Sequence, residues 1–187
     1  AHTTAEALDS LRVAQREGVT DIFMTPHSTC VARDLKRVRH AFETLRERAR
    51  HSGLTIDIWP GCEIFAPAGD VADAVRRGAV PTFNGSRYAL VEFSPFVEPE
   101  RAEATVRKTL DAGYVPVLAH AERYWFLIRR GAIRSLVELG AAIQINAASM
   151  TTETNDEIRE NARRILRERL ATFFGSDAHG LYHRPPR

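Results

Sequence analysis

At 187 residues, 44% of them hydrophobic and 27% charged, the chain has the size and apolar content of one globular domain with a buried core. Its formal net charge of +2 is carried by acids and bases that alternate, as in Arg46-Glu47-Arg48, which argues against a dedicated nucleic-acid surface. No apolar run reaches the roughly 20 residues of a membrane span, and the polar opening Ala1 to Ser10 is unlike a signal peptide, so the expectation is a cytoplasmic protein without membrane insertion.

The elements alternate between helical and strand periodicity. Leu8, Leu11, Val13 and Ala14 share one side of a first helix that Gly18 ends, and Thr20 to Met24 reads as a strand stopped before Pro26. A helix from about Asp34 to Arg50 precedes a strand at Ile56 to Trp59. A short helix over Val71 to Arg76 leads to a strand at Tyr88 to Phe93. Pro95 and Pro99 bracket a loop before a helix from Arg101 to Asp111, ended by Gly113. Val115 to Ala119 is the next strand, Tyr124 to Leu139 is helical in pieces, and Ala142 to Asn146 is a strand. A charged amphipathic helix at Asp156 to Arg169 and a strand at Ala171 to Phe174 complete the series.

Six strands, each trailed by a helix or loop, predict an α/β fold, and a (β/α) barrel accounts for the order better than an open sheet. No linker or repeat divides the chain, so 1–187 is expected to be a single domain. The sequence begins directly with a helix and stops at Arg184-Pro185-Pro186-Arg187 with no helix after the last strand, so the expected barrel is incomplete at both termini.

The residues just past the strands are His27, Glu63, Glu92, His120, Asn146, Asp177 and His179. In parallel α/β folds these positions converge on one face. All but Asn146 are metal-ligand types. Each alone is an ordinary loop residue, but six in register at strand ends point to a metal centre. Imidazole and carboxylate together suit zinc, manganese and iron, and carboxylates can bridge neighbouring ions. The two cysteines, Cys30 and Cys62, are too few for a cysteine-rich zinc site or a disulfide framework. A cysteine-based phosphatase needs an arginine six positions after its nucleophile; Lys36 and Ala68 stand there instead, so that route is disfavoured.

Taken in order, Thr25-Pro26-His27, Pro60-Gly61-Cys62-Glu63-Ile64, Tyr88-Ala89-Leu90-Val91-Glu92-Phe93, Ala119-His120-Ala121-Glu122-Arg123-Tyr124, Gln144-Ile145-Asn146-Ala147-Ala148-Ser149 and Ser176-Asp177-Ala178-His179 form a series spanning nearly the whole chain. The series resembles the bacterial protein-tyrosine phosphatases of capsular and exopolysaccharide systems, within the polymerase-and-histidinol-phosphatase (PHP) superfamily. The resemblance implies a distorted TIM-like barrel holding two or three divalent ions, often manganese, with iron, zinc or magnesium as alternatives. It implies metal ligation by His27, Glu63, Glu92, His120, Asp177 and His179, and phosphate contacts from Arg123 and Arg184. Hydrolysis of phosphotyrosine on a protein by metal-activated water follows, the natural partner being a bacterial tyrosine kinase.

The sequence departs from that pattern in three places. The opening His-x-His strand of the family is absent, Ser28 stands where a second histidine usually follows His27, and Ala121 replaces the usual proline after His120. The alternatives are another PHP phosphoesterase, such as a histidinol-phosphate phosphatase, or a non-catalytic PHP binding module.

Overall fold

The computed structural model describes residues 3–30, 35–151 and 154–180. Helix α1 (Thr4–Arg16) starts at a capping box: the Thr3 hydroxyl accepts the Glu6 N–H at 3.2 Å, and the Glu6 carboxylate accepts the Thr3 N–H at 3.3 Å. Its buried Ala7, Leu11 and Ala14 pack against Leu45 and Ala49 of α2 (Leu35–His51) and against Ile56 and Ile58, with Leu8 partly buried beside them.

Strands β1 (Asp21–Met24) and β2 (His27–Thr29) flank Thr25-Pro26, and β3 (Asp57–Pro60) and β4 (Glu63–Phe65) flank Gly61-Cys62. β1 pairs with β3 and β2 with β4, both in parallel. The partner lies 36 positions on in both ladders, Asp21 opposite Asp57 and His27 opposite Glu63. These are one pair of strands bent in the middle, where Pro26 has no N–H to give and its fixed φ breaks the ladder. Two hydrogen bonds carry the register across the bend, Gly61 N–H to Met24 O at 3.1 Å and Glu63 N–H to Pro26 O at 3.0 Å. A Cβ on Gly61 would sit 3.2 Å from Thr25 Cγ2 and 3.3 Å from Phe83 Cδ1, so glycine lets the chains approach there.

The remaining elements are α3 (Val71–Arg76), β5 (Tyr88–Glu92), α4 (Pro99–Asp111), β6 (Val115–Leu118), α5 (Trp125–Arg129), α6 (Ala132–Leu139), β7 (Ala142–Asn146), α7 (Asp156–Arg167) and β8 (Phe173–Gly175). Pro99 is the first residue of α4 and not part of the preceding loop; a proline loses nothing where the first-turn N–H has no partner. Strands β2-β4-β5-β6-β7-β8 form a parallel sheet in that order. The fold is thus mixed α/β with parallel sheets. Among the described residues the sheet runs from β2 to β8 with no ladder joining those edges, so the parallel α/β part of the expectation is met and no closed barrel is formed.

Side-chain alternation gives the sheet two faces. Ala89, Val91, Leu118, Ile143 and Ile145 belong to the main core with Val106, Leu136 and Ile165 of the helices. Leu90, Val117, Ala119 and Ala142 form a smaller apolar cluster of their own. The same period of two places Glu92 with Leu90 on β5, and Gln144 and Asn146 with Ala142 on β7. That face is apolar toward the strand starts and polar toward the strand ends.

Candidate metal centre

The bent strand pair sets His27 opposite Glu63, and the next pairings set Glu63 opposite Leu90 and Phe65 opposite Glu92. His27 and Glu63 therefore open short strands instead of lying past long ones, while Glu92 ends β5. Donor atoms of His27, Glu63 and Glu92 all lie within 4.8 Å of one another. Glu63 is buried and spans two imidazoles: Oε2 is 2.8 Å from His27 Nδ1 and Oε1 is 3.2 Å from His120 Nε2. Glu92 stands behind, 3.7 Å from His27 Nδ1 and 3.6 Å from His120 Nε2.

Asp177 and His179 follow β8. The His179 ring is centred 5.7 Å from that of His27, and its Nδ1 lies 2.8 Å from the Asp177 carbonyl and 3.5 Å from Asp177 Oδ1. Arg123 brings Nη1 to 3.7 Å from Asp177 Oδ2, and its buried Nε has no hydrogen-bond partner among the described residues. His120 (φ 36°) and Asp177 (φ 48°) both hold left-handed backbone, a conformation costly for residues other than glycine and concentrated at functional sites. Of the residues expected at the centre, Arg184 lies outside the described residues.

The electrostatics favour a cation. Burial, followed by the charge of Glu63, pushes the Glu92 carboxyl up, with His120 and His27 opposing. Burial works against protonation of His120, yet its hydrogen bond to Glu63 and the charge of Glu63 outweigh it and raise its pKa above the usual imidazole value. A Glu92 carboxyl pushed up by burial and by the neighbouring Glu63, beside a buried imidazole that Glu63 draws toward protonation, marks a concentration of negative charge that bound cations would relieve. His120 Nδ1 is buried without a hydrogen-bond partner among the described residues. This nitrogen-and-oxygen set fits manganese, iron or zinc.

Three supporting residues stand within the motifs of the sequence series without a role assigned to them there. Gln144 Oε1 accepts the His120 N–H at 2.7 Å. Glu122, fully buried, accepts the Asn146 N–H at 3.2 Å and the Ser149 hydroxyl at 2.6 Å, while burial raises its pKa. Tyr124 places its hydroxyl 3.0 Å from the Phe93 N–H, which donates to it. All three tie the turn carrying His120 and Arg123 to neighbouring strands. Asn146, the one non-ligand type at a strand end, donates through Nδ2 to Asp177 Oδ2 at 3.0 Å.

The family model described as "Capsular polysaccharide synthesis, CpsB/CapC" matches residues 1–187. The chain belongs to this family. Among CpsB/CapC-like relatives, the tyrosine-protein phosphatase YwqE of Bacillus subtilis is 29% identical over 181 residues, covering 95% of this chain and 71% of YwqE. The tyrosine-protein phosphatase CpsB of Streptococcus pneumoniae is 30% identical over 184 residues, covering 94% of this chain and 75% of that protein. One crystal structure, from work describing YwqE and CpsB as unique metal-dependent tyrosine phosphatases, matches with a TM-score of 0.89 and 28% identity over 99% of this chain and 76% of its own. The mixed α/β, parallel-sheet architecture of this CpsB/CapC member is therefore shared with a solved relative.

Proposed function

We propose that this chain is a metal-dependent protein-tyrosine phosphatase serving capsule or exopolysaccharide synthesis, acting in the cytoplasm on a phosphorylated tyrosine kinase. The observation that carries the reading is Glu63, buried between the imidazoles of His27 and His120 with Glu92 behind it, in a chain whose relatives are tyrosine-protein phosphatases. His27, Glu63, Glu92, His120, Asp177 and His179 would hold two or three divalent ions, manganese first among the candidates, in a single PHP domain spanning 1–187 with a distorted (β/α) barrel. Bound there, such ions supply Lewis acidity toward phosphoryl oxygens and a nucleophile at neutral pH.

The chain's own residues do the rest. Arg123 offers its guanidinium fork to the phosphoryl oxygens and offsets charge that spreads over them in a loose transition state, and Arg184 is assigned the same role. Asp177 faces Arg123 and limits where that fork can point. The leaving phenol, with a pKa of about 10, departs with less help from an acid than an alkyl alcohol requires. The fully buried Tyr124 phenol, its pKa raised well above the usual range by that burial, serves structure and not proton transfer.

The test compares the manganese-loaded, full-length protein on a phosphotyrosine peptide and on histidinol phosphate. Faster turnover of the peptide, abolished by a chelator and restored by manganese, is expected. Preference for histidinol phosphate, or activity that survives the chelator, would overturn the reading.

A further inference from the structure

We propose that Gln144 is a positioning residue that fixes the loop bearing His120 and Arg123 relative to the loop bearing Asp177, through a one-way hydrogen-bond relay across β7. The His120 N–H donates to Gln144 Oε1 at 2.7 Å, Gln144 Nε2 donates to Asn146 Oδ1 at 2.9 Å, and Asn146 Nδ2 donates to Asp177 Oδ2 at 3.0 Å. Each amide receives on its oxygen and gives from its nitrogen. Turning either one over would set oxygen against oxygen or nitrogen against N–H, so the relay has a single polarity.

Both ends of the relay need holding. Beyond β6 the last ladder bond is Ala119 N–H to Val91 O, so the His120 N–H has left the sheet when Gln144 takes it. His120 then adopts φ 36° and ψ 51°, and Asp177 adopts φ 48°. Strained residues persist only where their surroundings over-determine them. The same Asp177 Oδ2 that ends the relay faces Arg123 Nη1 at 3.7 Å, so the relay orients the arginine as well as the ligand types.

Glycine at position 175 supports this independently. Gly175 has no left-handed φ that would require glycine. A Cβ there would sit 2.6 Å from Gln144 Nε2 and 3.1 Å from its Cδ, with no backbone atom among its nearest neighbours. The missing side chain at 175 therefore makes room for the Gln144 amide. Gln144 is also the one polar residue between Ala142 and Asn146 of β7, flanked by the buried Ile143 and Ile145.

The kinetic arm of the test rests on the phosphatase reading; two other arms do not. In the full-length protein, Gln144→Met keeps the volume and removes both hydrogen bonds, whereas Gly175→Ala displaces the amide without altering it. Each is expected to lower manganese affinity by calorimetry, and kcat on a phosphotyrosine peptide, by about 10–100-fold, the range for residues that orient metal ligands. KM should stay within about twofold, and hydrogen exchange of the His120 amide in chelator-treated protein should quicken in both variants. Because Gly175→Ala acts only through Gln144, adding it to Gln144→Ala should cost nothing further. Unchanged manganese affinity and His120 exchange in Gln144→Met and Gly175→Ala, or additive losses in the double variant, would overturn the proposal. An unmodified protein inactive on every aryl phosphate would instead overturn the phosphatase reading, leaving the affinity and exchange measurements to judge the relay.

Discussion

Replacing Tyr124 with phenylalanine removes one oxygen and little else. The ring packs edge-on against Phe93 at 5.8 Å and His120 at 5.9 Å, and both contacts survive the substitution. The Phe93 N–H loses its acceptor in a place water does not reach, since Tyr124 is fully buried and Phe93 nearly so. An unsatisfied buried donor costs about 1–3 kcal/mol. In a chain of this size each kcal/mol lowers the melting temperature by about 2–4 °C, which gives a fall of roughly 2–12 °C for Tyr124→Phe. The assay is thermal unfolding of chelator-treated protein, with kcat/KM against pH measured on the manganese-loaded form. The pH profile should keep its shape, because a phenol held neutral by burial takes no part in proton transfer. An unchanged melting temperature would show that the hydroxyl bond holds nothing, and loss of one limb of the pH profile would show that Tyr124 is chemical and not structural.

Arg123→Met should reduce kcat/KM on an aryl phosphate by about 100-fold, as expected for loss of one preorganised donor to developing charge, while calorimetric manganese affinity stays near that of the parent. Arg123→Lys should recover only part of the loss, because an ammonium does not reproduce the planar fork. Thiol alkylation at pH 8 should leave activity intact: burial pushes the Cys62 thiol up to about 12, so roughly one molecule in 10⁴ carries the reactive thiolate at that pH. Alkylation of Cys62 should quicken about tenfold per pH unit below that value, a slope that peptide mass spectrometry can follow.

The alternation of strands and helices was legible because apolar runs such as Val115 to Ala119 and helix ends such as Gly113 are written locally. The two bent strands were not. Thr25-Pro26 and Pro60-Gly61 are turn chemistry in isolation, and only the pairing of each strand with the other shows that the ladder resumes at His27 and Glu63. His27, Glu63, Glu92 and His120 were readable as one set because strand ends in a parallel fold converge, and the structure brings those four together. The role of Gln144, though the residue opens one of the motifs of the series, was unreadable for the opposite reason. A glutamine within Ala142 to Asn146 looks like one polar residue in a strand, whereas its amide accepts from His120, 24 residues back, and donates to Asn146, which in turn reaches Asp177 beyond β8. Gly131, with φ 69°, separates α5 from α6 where the sequence reads only as helical in pieces.

The shared register across the bend has a consequence for which length changes this chain can absorb. An extra residue in a loop that joins unpaired elements costs little beyond loop entropy. One extra residue between Met24 and His27 is a different matter. β1 would remain matched to β3, but every side chain of β2 would be turned to the reverse side of the sheet, and the His27 imidazole would face the helical layer instead of Glu63. A matching insertion between Pro60 and Glu63 would restore the pairing of His27 with Glu63 while throwing both out of step with β5. The spacing between the two halves of each bent strand is therefore as much a determinant of the centre as the identities of the residues within it.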